Sequence, residues 1–167
     1  GWSTLLMDGS HANASIGLRK EFITAGRINA LFEKYGVPQR FGLLSIDLDY
    51  NDIYVWQALD DDRYRAGVVI IEFNAHIPPP ASVAVPHDPQ KVWKDGVFFG
   101  ASLVAMARIG ATKGDELVHV DSHGVNAFFV RSELVARSAA VSSLVEPTVG
   151  AAAARHWNPP NYFGRGV

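Results

Sequence analysis

The chain has 167 residues, a length that suits one domain with a substantial core. Its formal net charge is −2 and its lysines and arginines are scattered, which argues against nucleic acid as the main partner. No apolar run approaches the roughly 18 residues of a membrane-spanning helix, and the lack of cysteine excludes disulfides, thiolate zinc sites and cysteine nucleophiles. We therefore expect a soluble protein of the cytoplasm or of an organelle interior.

The first half of the chain alternates strand and helix patterns. Gly1 is followed at once by an apolar stretch over 2–7, which indicates a domain that is cut or incomplete. Between 27 and 36, apolar side chains recur at the i, i+3, i+4, i+7 spacing of one helical face, and Gly36 ends the pattern. The predicted elements are a strand over 2–9, a weaker strand over 18–24, a helix over 27–36, a strand over 42–48 and a helix over 49–59.

The second half opens with the run 67–73, whose valines and isoleucines indicate a strand covered on both faces, as in a parallel sheet. A long proline-rich loop follows over 76–93, and loops of this length usually have a functional or covering role. Aromatic residues at its end are expected to cover the core: Trp93, Phe98 and Phe99. The other predicted elements are a buried helix over 100–114, strands over 116–121 and 126–131, and an irregular tail that includes the alanine-rich segment 150–154.

This order of elements predicts a single α/β domain over 1–167, in which helices cover a mostly parallel sheet with a C-terminal antiparallel hairpin. Ligands of open α/β sheets bind outside the carboxyl ends of the strands. Acidic or amide side chains stand at three of these ends, so we expect them to share one rim of the sheet. They are Asp8 after the first strand, Asp47 and Asp49 after the third, and Glu72 and Asn74 after the fourth.

Three aspartates fall within six residues after the third strand, namely Asp47, Asp49 and Asp52. Asp49 is well placed to cap the next helix, and Asp52 would stand at the third helical position, where a carboxylate interacts favourably with the helix dipole. Asp47 differs because it lies inside the apolar run, where an unpaired charge is costly. Asp47 is therefore the candidate for chemistry, and helix initiation is the alternative role for the other two.

At this point the sequence resembles a known family. The segment SIDLDYNDIYVW is similar to the SIDIDGNDYWVW-type segment of FkbM-like S-adenosylmethionine (SAM) dependent methyltransferases. The resemblance continues, in order along nearly the whole chain, through GWSTLLMDG, EFITAGRINALF, VVIIEFNAHIPPP, FFGASLVAMARIGATKG, GVNAFFVR and HWNPPNYF. It implies a Rossmann-like methyltransferase sandwich with SAM as the cofactor of an active member.

The resemblance also implies roles for individual residues. Asp8 matches the acid that binds the ribose hydroxyls of SAM, Thr24 and Ala25 fall near the adenine, and Asp49 belongs with these cofactor-binding positions. Asp47 matches the acid beside the methyl-transfer site, where it or His76 would take the proton of the methyl acceptor.

A divalent cation is a further property of some catechol-type relatives of this fold. In those proteins acids and an asparagine at two strand ends hold the ion, and Asp47, Glu72 and Asn74 match these positions. Oxygen ligands of this kind suit magnesium. The SIDIDGND-type family need not share the ion, so we expect no metal.

Two departures from the family pattern bear on function. Tyr50 replaces the glycine of the family segment, which adds bulk at the rim. The first family strand, with its Gly-rich SAM loop, has no counterpart, and that strand lies between the second and fourth in the family sheet. Its lack would leave two unpaired strand edges, an aggregation hazard, so we expect another polypeptide to fill the gap.

These departures favour a non-catalytic methyltransferase-like domain that acts as a structural or interaction subunit of a larger assembly. The alternative is an active SAM-dependent O-methyltransferase whose cofactor loop is not part of these residues. The retained acids at Asp8 and Asp47 favour that alternative.

Overall fold

The computed structural model describes residues 1–161 and has an α/β architecture. The strands are β1 (Leu6–Asp8), β2 (Leu18–Lys20), β3 (Arg40–Ile46), β4 (Arg65–Glu72), β5 (Asp115–Val120) and β6 (Asn126–Arg131). The helices are α1 (Ile28–Lys34), α2 (Asp52–Ala58), α3 (Leu103–Lys113), α4 (Ser132–Val135), α5 (Ala139–Ser142) and α6 (Val149–His156), with a 3-10 turn at Ala14–Ile16. Every helix in residues 1–161 is too short or too polar to span a lipid bilayer.

The strands form two separate sheets. One contains four strands in the order β3-β4-β6-β5, and the other contains β1 and β2. Strands β3 and β4 are parallel, as are β1 and β2, whereas β6 is antiparallel to both β4 and β5. The α/β class is thus confirmed, but the larger sheet is mixed rather than mostly parallel. The expected hairpin is found in part, since its register shifts between Leu117 and His119.

The main core lies between the four-stranded sheet and the helices α2, α3 and α6. The rings of Trp56 on α2 and Phe129 on β6 pack 4.8 Å apart between centroids. Helix α3 approaches this pair closely through Gly110, where a Cβ atom would stand 2.8 Å from the Phe129 ring. Glycine is therefore required there by the packing of α3 on β6.

A second, smaller cluster joins α1 to the other side of α2. Its buried members are Ile28, Phe32, Val55, Leu59 and Tyr64. The rings of Phe32 and Tyr64 meet edge to face with centroids 5.2 Å apart. Helix α2 thus has apolar residues on two sides, because Trp56 faces the main core while Val55 faces α1.

The C-terminal part departs from the sequence prediction. The alanine-rich segment expected to be irregular forms α6, which begins after Thr148, whose side chain accepts a hydrogen bond from the Ala151 N–H. Ala152 and Ala153 are buried in the main core. Alanine is the strongest helix former and its small side chain allows close packing, which explains the helix. The end of the predicted tail, 162–167, lies outside the described residues.

Candidate functional site

A cavity of about 90 Å³ separates the two sheets. It is bordered by Met7 of β1 and by residues 44–48 at the end of β3. Helices α1 and α2, together with Ile23 before α1, supply the rest of its mostly apolar lining. Within residues 1–161, β1 pairs with β2 alone and β3 with β4 alone. Each strand therefore has one edge without a ladder partner, and the cavity lies between the two strands.

Apolar side chains on these two edge strands are exposed. Leu43 of β3 is 49% exposed and Leu6 of β1 is 40% exposed, whereas Val69 of the central strand β4 is 2% exposed. Trp2, itself 84% exposed, rests against Gly42, where a Cβ atom would stand 3.1 Å from the indole. The two sheets are thus separated at β1 and β3, strands whose exposed side chains are apolar enough to be buried inside a larger sheet.

Three carboxylates meet at the end of β3 and β4. Ile46 pairs with Ile71 across the parallel strands, so the residues that follow them, Asp47 and Glu72, are neighbours. One carboxylate oxygen each of Asp47, Asp49 and Glu72 lies within 4.8 Å of the others. The structure therefore brings together acids that we expected to share a rim. Asp47 is exposed just beyond β3, so the expectation that it lies inside the apolar run was wrong.

The helix-starting roles expected for Asp49 and Asp52 are found only in part: Asp49 does not cap α2, whereas Asp52 lies in its first turn, at the first rather than the third helical position. Helix α2 begins at Asp52 and follows Asn51, whose side chain makes no capping bond. Asp49 lies before the helix in the left-handed region at a φ of 64°. Asp52 is fully buried, and its Oδ1 atom accepts a hydrogen bond of 2.7 Å from the Leu48 N–H. Asp52 is therefore held by a local hydrogen bond within its own turn but is fully buried, and this burial was not expected from the sequence.

The carboxylates raise one another's pKa values. Burial, followed by the charges of Asp52, Asp47 and Asp49, raises the pKa of Glu72 to about 8. Burial also raises the pKa of Asp52 to about 7, even though the Leu48 N–H favours its ionised form. Although Asp47 as a residue is exposed, desolvation of its carboxyl and then the charge of Asp49 raise the pKa of Asp47 as well. This corner of the fold therefore attracts positive charge, whether protons or a cation.

Asn74 and His76 do not join this cluster. Asn74 is buried, and its Nδ2 atom donates to the carbonyls of Val97 and Phe99 at 2.8 and 3.0 Å. Its Oδ1 atom accepts from the His76 N–H. Asn74 thus anchors the long loop, which overturns the expectation that its amide faces the acids. His76 is exposed at the start of that loop and is not part of the carboxylate group.

Asp8 ends β1 next to Met7, which borders the cavity. Its Oδ1 atom accepts hydrogen bonds of 2.7 Å from the N–H groups of Ser10 and His11, and these bonds hold the pKa of Asp8 at about 2. The side chain of Asp8 is therefore an ordered anion.

Thr24 lies at the turn before α1, where its carbonyl oxygen accepts two backbone hydrogen bonds, and the next residue, Ala25, is half-buried.

Tyr50 is 3% exposed and does not crowd an open rim as we expected. Its ring packs 6.4 Å from that of Phe98, and the Lys91 Nζ atom lies 5.8 Å from its centroid. These residues and Trp93 line a shallow cavity of about 470 Å³ in the long loop. Trp93 and Phe98 are 43% and 62% exposed, so of the three aromatics expected to cover the core only Phe99 does so.

The chain matches no protein-family model, and no curated protein and no solved structure is significantly similar to it.

Proposed function

We propose that this chain is a methyltransferase-like domain, non-catalytic, that acts as a structural or interaction subunit. A strand of another polypeptide enters between β1 and β3 and completes the sheet. The observation that carries the proposal is that, within residues 1–161, β1 and β3 each have an unpaired edge beside the 90 Å³ cavity. The cavity is too small to hold a strand, so β1 and β3 must move to about 10 Å apart to admit it.

The order of the strands supports this proposal. By the resemblance, β1 and β3 match the second and fourth strands of a methyltransferase sheet, which in that fold are separated by the first. Placing one strand between them joins the two sheets into one with the order β2-β1-x-β3-β4-β6-β5, where x is the added strand. The added strand would satisfy the free backbone N–H and C=O groups of both edges, as in other cases of strand addition.

The lining of the cavity defines the chemistry of the added strand. Met7, Leu44, Val55 and Leu59 present apolar surface to it, and Asp47 stands at one end. A charged side chain buried among these residues would lack a partner and would be costly. The entering strand is therefore apolar over its central residues.

The proposal is tested by placing a charge beside the free edge. The isolated chain should self-associate and bind an apolar dye, and the Leu43→Lys variant should do both less because lysine on an edge strand opposes pairing. Val83→Lys is the matched control, since Val83 is 50% exposed in the long loop and Leu43 is 49% exposed. Sedimentation velocity measures association. A wild-type chain that stays monomeric and unfolds cooperatively without dye binding would count against the proposal.

An active SAM-dependent O-methyltransferase is the second candidate, and the state of Asp8 favours it. The Oδ1 atom of Asp8 is held by backbone N–H groups, and the two bonds leave Oδ2 to accept from a diol such as ribose. In this reading Thr24 and Ala25 lie near the adenine, and Asp47 or His76 takes the proton of the acceptor. Calorimetric titration with SAM tests it. Micromolar binding that Asp8→Ala abolishes and Asp62→Ala preserves would favour the enzyme over the subunit.

A further inference from the structure

We propose that Asp47, Asp49 and Glu72 form a binding site for a hard divalent cation, Mg²⁺ or Ca²⁺, to which each contributes one carboxylate oxygen. These oxygens lie within 4.8 Å of one another. Two ligands of one ion can stand apart by at most twice the metal–oxygen distance, about 4 Å for Mg²⁺ and about 5 Å for Ca²⁺. Three oxygens around one ion stand closer together than this pairwise limit, so an arrangement with separations of up to 4.8 Å can hold either ion after a small closure.

The backbone produces this arrangement in a simple way. The parallel register of Ile46 with Ile71 places Asp47 beside Glu72 at the carboxyl ends of β3 and β4. The positive φ of Asp49 turns the chain so that its carboxylate comes back to the other two. The protein thus supplies three ligands, two from strand ends and one from a turn. Water would fill the remaining coordination positions of the ion, as is usual for Mg²⁺.

A second observation comes from the side chain behind the cluster. Asp52 is fully buried, and its Oδ1 atom bonds to the N–H of Leu48, which lies between Asp47 and Asp49 in the chain. Its Oδ2 atom, like Oε2 of Glu72, is buried without a hydrogen-bond partner among the described residues. An ionised oxygen left in this state is costly. Asp52 thus adds a buried carboxylate that acts on the three acids through its charge and has one unsatisfied oxygen.

The local charge is not balanced by basic side chains. Asp47, Asp49, Asp52 and Glu72 take part in none of the ion pairs found in residues 1–161. Four carboxylates without a basic partner repel one another when they are ionised. A divalent cation would bind three of them directly and reduce the repulsion felt by the fourth.

The site requires no contribution from Asn74, whose amide is committed to the long loop. Cation binding does not require the added strand, so the proposed cation site and the proposed strand addition can each fail without the other.

The experiment is calorimetric titration of Ca²⁺, Mg²⁺ and Mn²⁺ into chelator-treated full chain at pH 7.5 and constant ionic strength, with thermal unfolding in parallel. We expect saturable binding of one ion and a rise in the midpoint of unfolding. Asp49→Asn and Glu72→Gln should each weaken binding at least tenfold. Asparagine tolerates a positive φ, so Asp49→Asn preserves the backbone. Asp62→Asn, an exposed aspartate outside the cluster, is the matched control and should bind like the wild type.

Two further readouts keep the proposal testable if a variant fails to fold. Without cation, Glu72→Gln should unfold at a higher temperature than the wild type, because it removes a carboxyl group that must either bind a proton or keep its charge near the three aspartates. Added cation should not raise that temperature. In the wild type, Mn²⁺ should broaden the amide resonances of 47–52 before all others. Three results would overturn the proposal: no saturable binding of any of the three ions, binding by both cluster variants that is as tight as that of the wild type, or broadening centred on other residues.

Discussion

The Asp52 carboxylate accepts a hydrogen bond of 2.7 Å from the Leu48 N–H, so a fully buried side chain at the start of α2 closes the turn that follows β3. This bond places Asp47 and Asp49 on one short loop whose ends are fixed. The same side chain stands behind the proposed cation site, which links the stability of the loop to the geometry of that site.

Asp52→Ala should lower the free energy of unfolding by about 1–3 kcal/mol, since it leaves the partly buried Leu48 N–H without its acceptor. Asp52→Asn keeps an oxygen for that bond and removes the buried charge, so its loss should be smaller. Urea unfolding of the two variants measures the difference. Equal losses would show that the charge, rather than the hydrogen bond, holds the loop.

Gly110→Ala should destabilise the protein by about 1–3 kcal/mol through overpacking. Its new Cβ atom would stand 2.8 Å from the ring of Phe129, which is fully buried and has little room to move. Gly150→Ala in α6 is the control, because no atom lies within 4 Å of its added Cβ and alanine favours the helix by up to about 1 kcal/mol. Opposite shifts in the melting temperature are expected, and a stabilised Gly110→Ala variant would contradict the packing of α3 on β6.

Glu21 should make the stability of the β1–β2 region depend on pH. Hydrogen bonds from Lys34 and then Tyr35 lower the pKa of this carboxyl in the folded state below its ordinary value of 4.5. Its stabilising contribution is therefore present above pH 4.5 and is lost as the pH falls through the lowered folded-state value. Between pH 5 and pH 3, Glu21→Gln should lose less stability than the wild type does. Parallel pH profiles of the urea midpoint would contradict this.

Asn74→Ala should loosen the long loop without unfolding the sheet. The variant loses both hydrogen bonds to the carbonyls of Val97 and Phe99, of which only the second is fully buried, and each bond contributes roughly 1 kcal/mol. We expect faster proteolysis within 76–99 and a modest fall in the urea midpoint. Asn13→Ala, which removes an exposed amide from the 3-10 turn, should leave cleavage of the loop unchanged. Equal cleavage rates for the wild type and Asn74→Ala would show that other contacts hold the loop.

The elements that the sequence predicted well are those with a strong local pattern. The valine and isoleucine run of β4, the helical spacing of α1 and the apolar α3 lie where their patterns indicated. The pairing of the strands was harder to predict, because neither composition nor periodicity indicates that β6 lies between β4 and β5. That choice depends on contacts distant in sequence, so the expectation of a mostly parallel sheet failed for the larger sheet.

Part of the site was predictable and part was not. Asp47, Asp49 and Glu72 come together because parallel strands bring their carboxyl ends to one edge. Asn74 was misplaced because it lies beyond the end of β4, where strand alternation no longer governs the direction of a side chain. The expectation for Asp52 gave its place at the helix start but not its burial, although its position next to Ile53 and close to Trp56, both buried, was a signal of burial.

The central claim is that β3 has a free edge, and amide hydrogen exchange of the isolated chain at low micromolar concentration tests it most directly. We predict fast exchange at alternate amides of β3, those that do not bond to β4, and slow exchange throughout β4. Protection of the fast amides should increase with protein concentration in the wild type and in Val83→Lys, but not in Leu43→Lys. If all amides of β3 are as protected as those of β4 at the lowest concentration, the edge is already paired and the claim of an added strand is wrong.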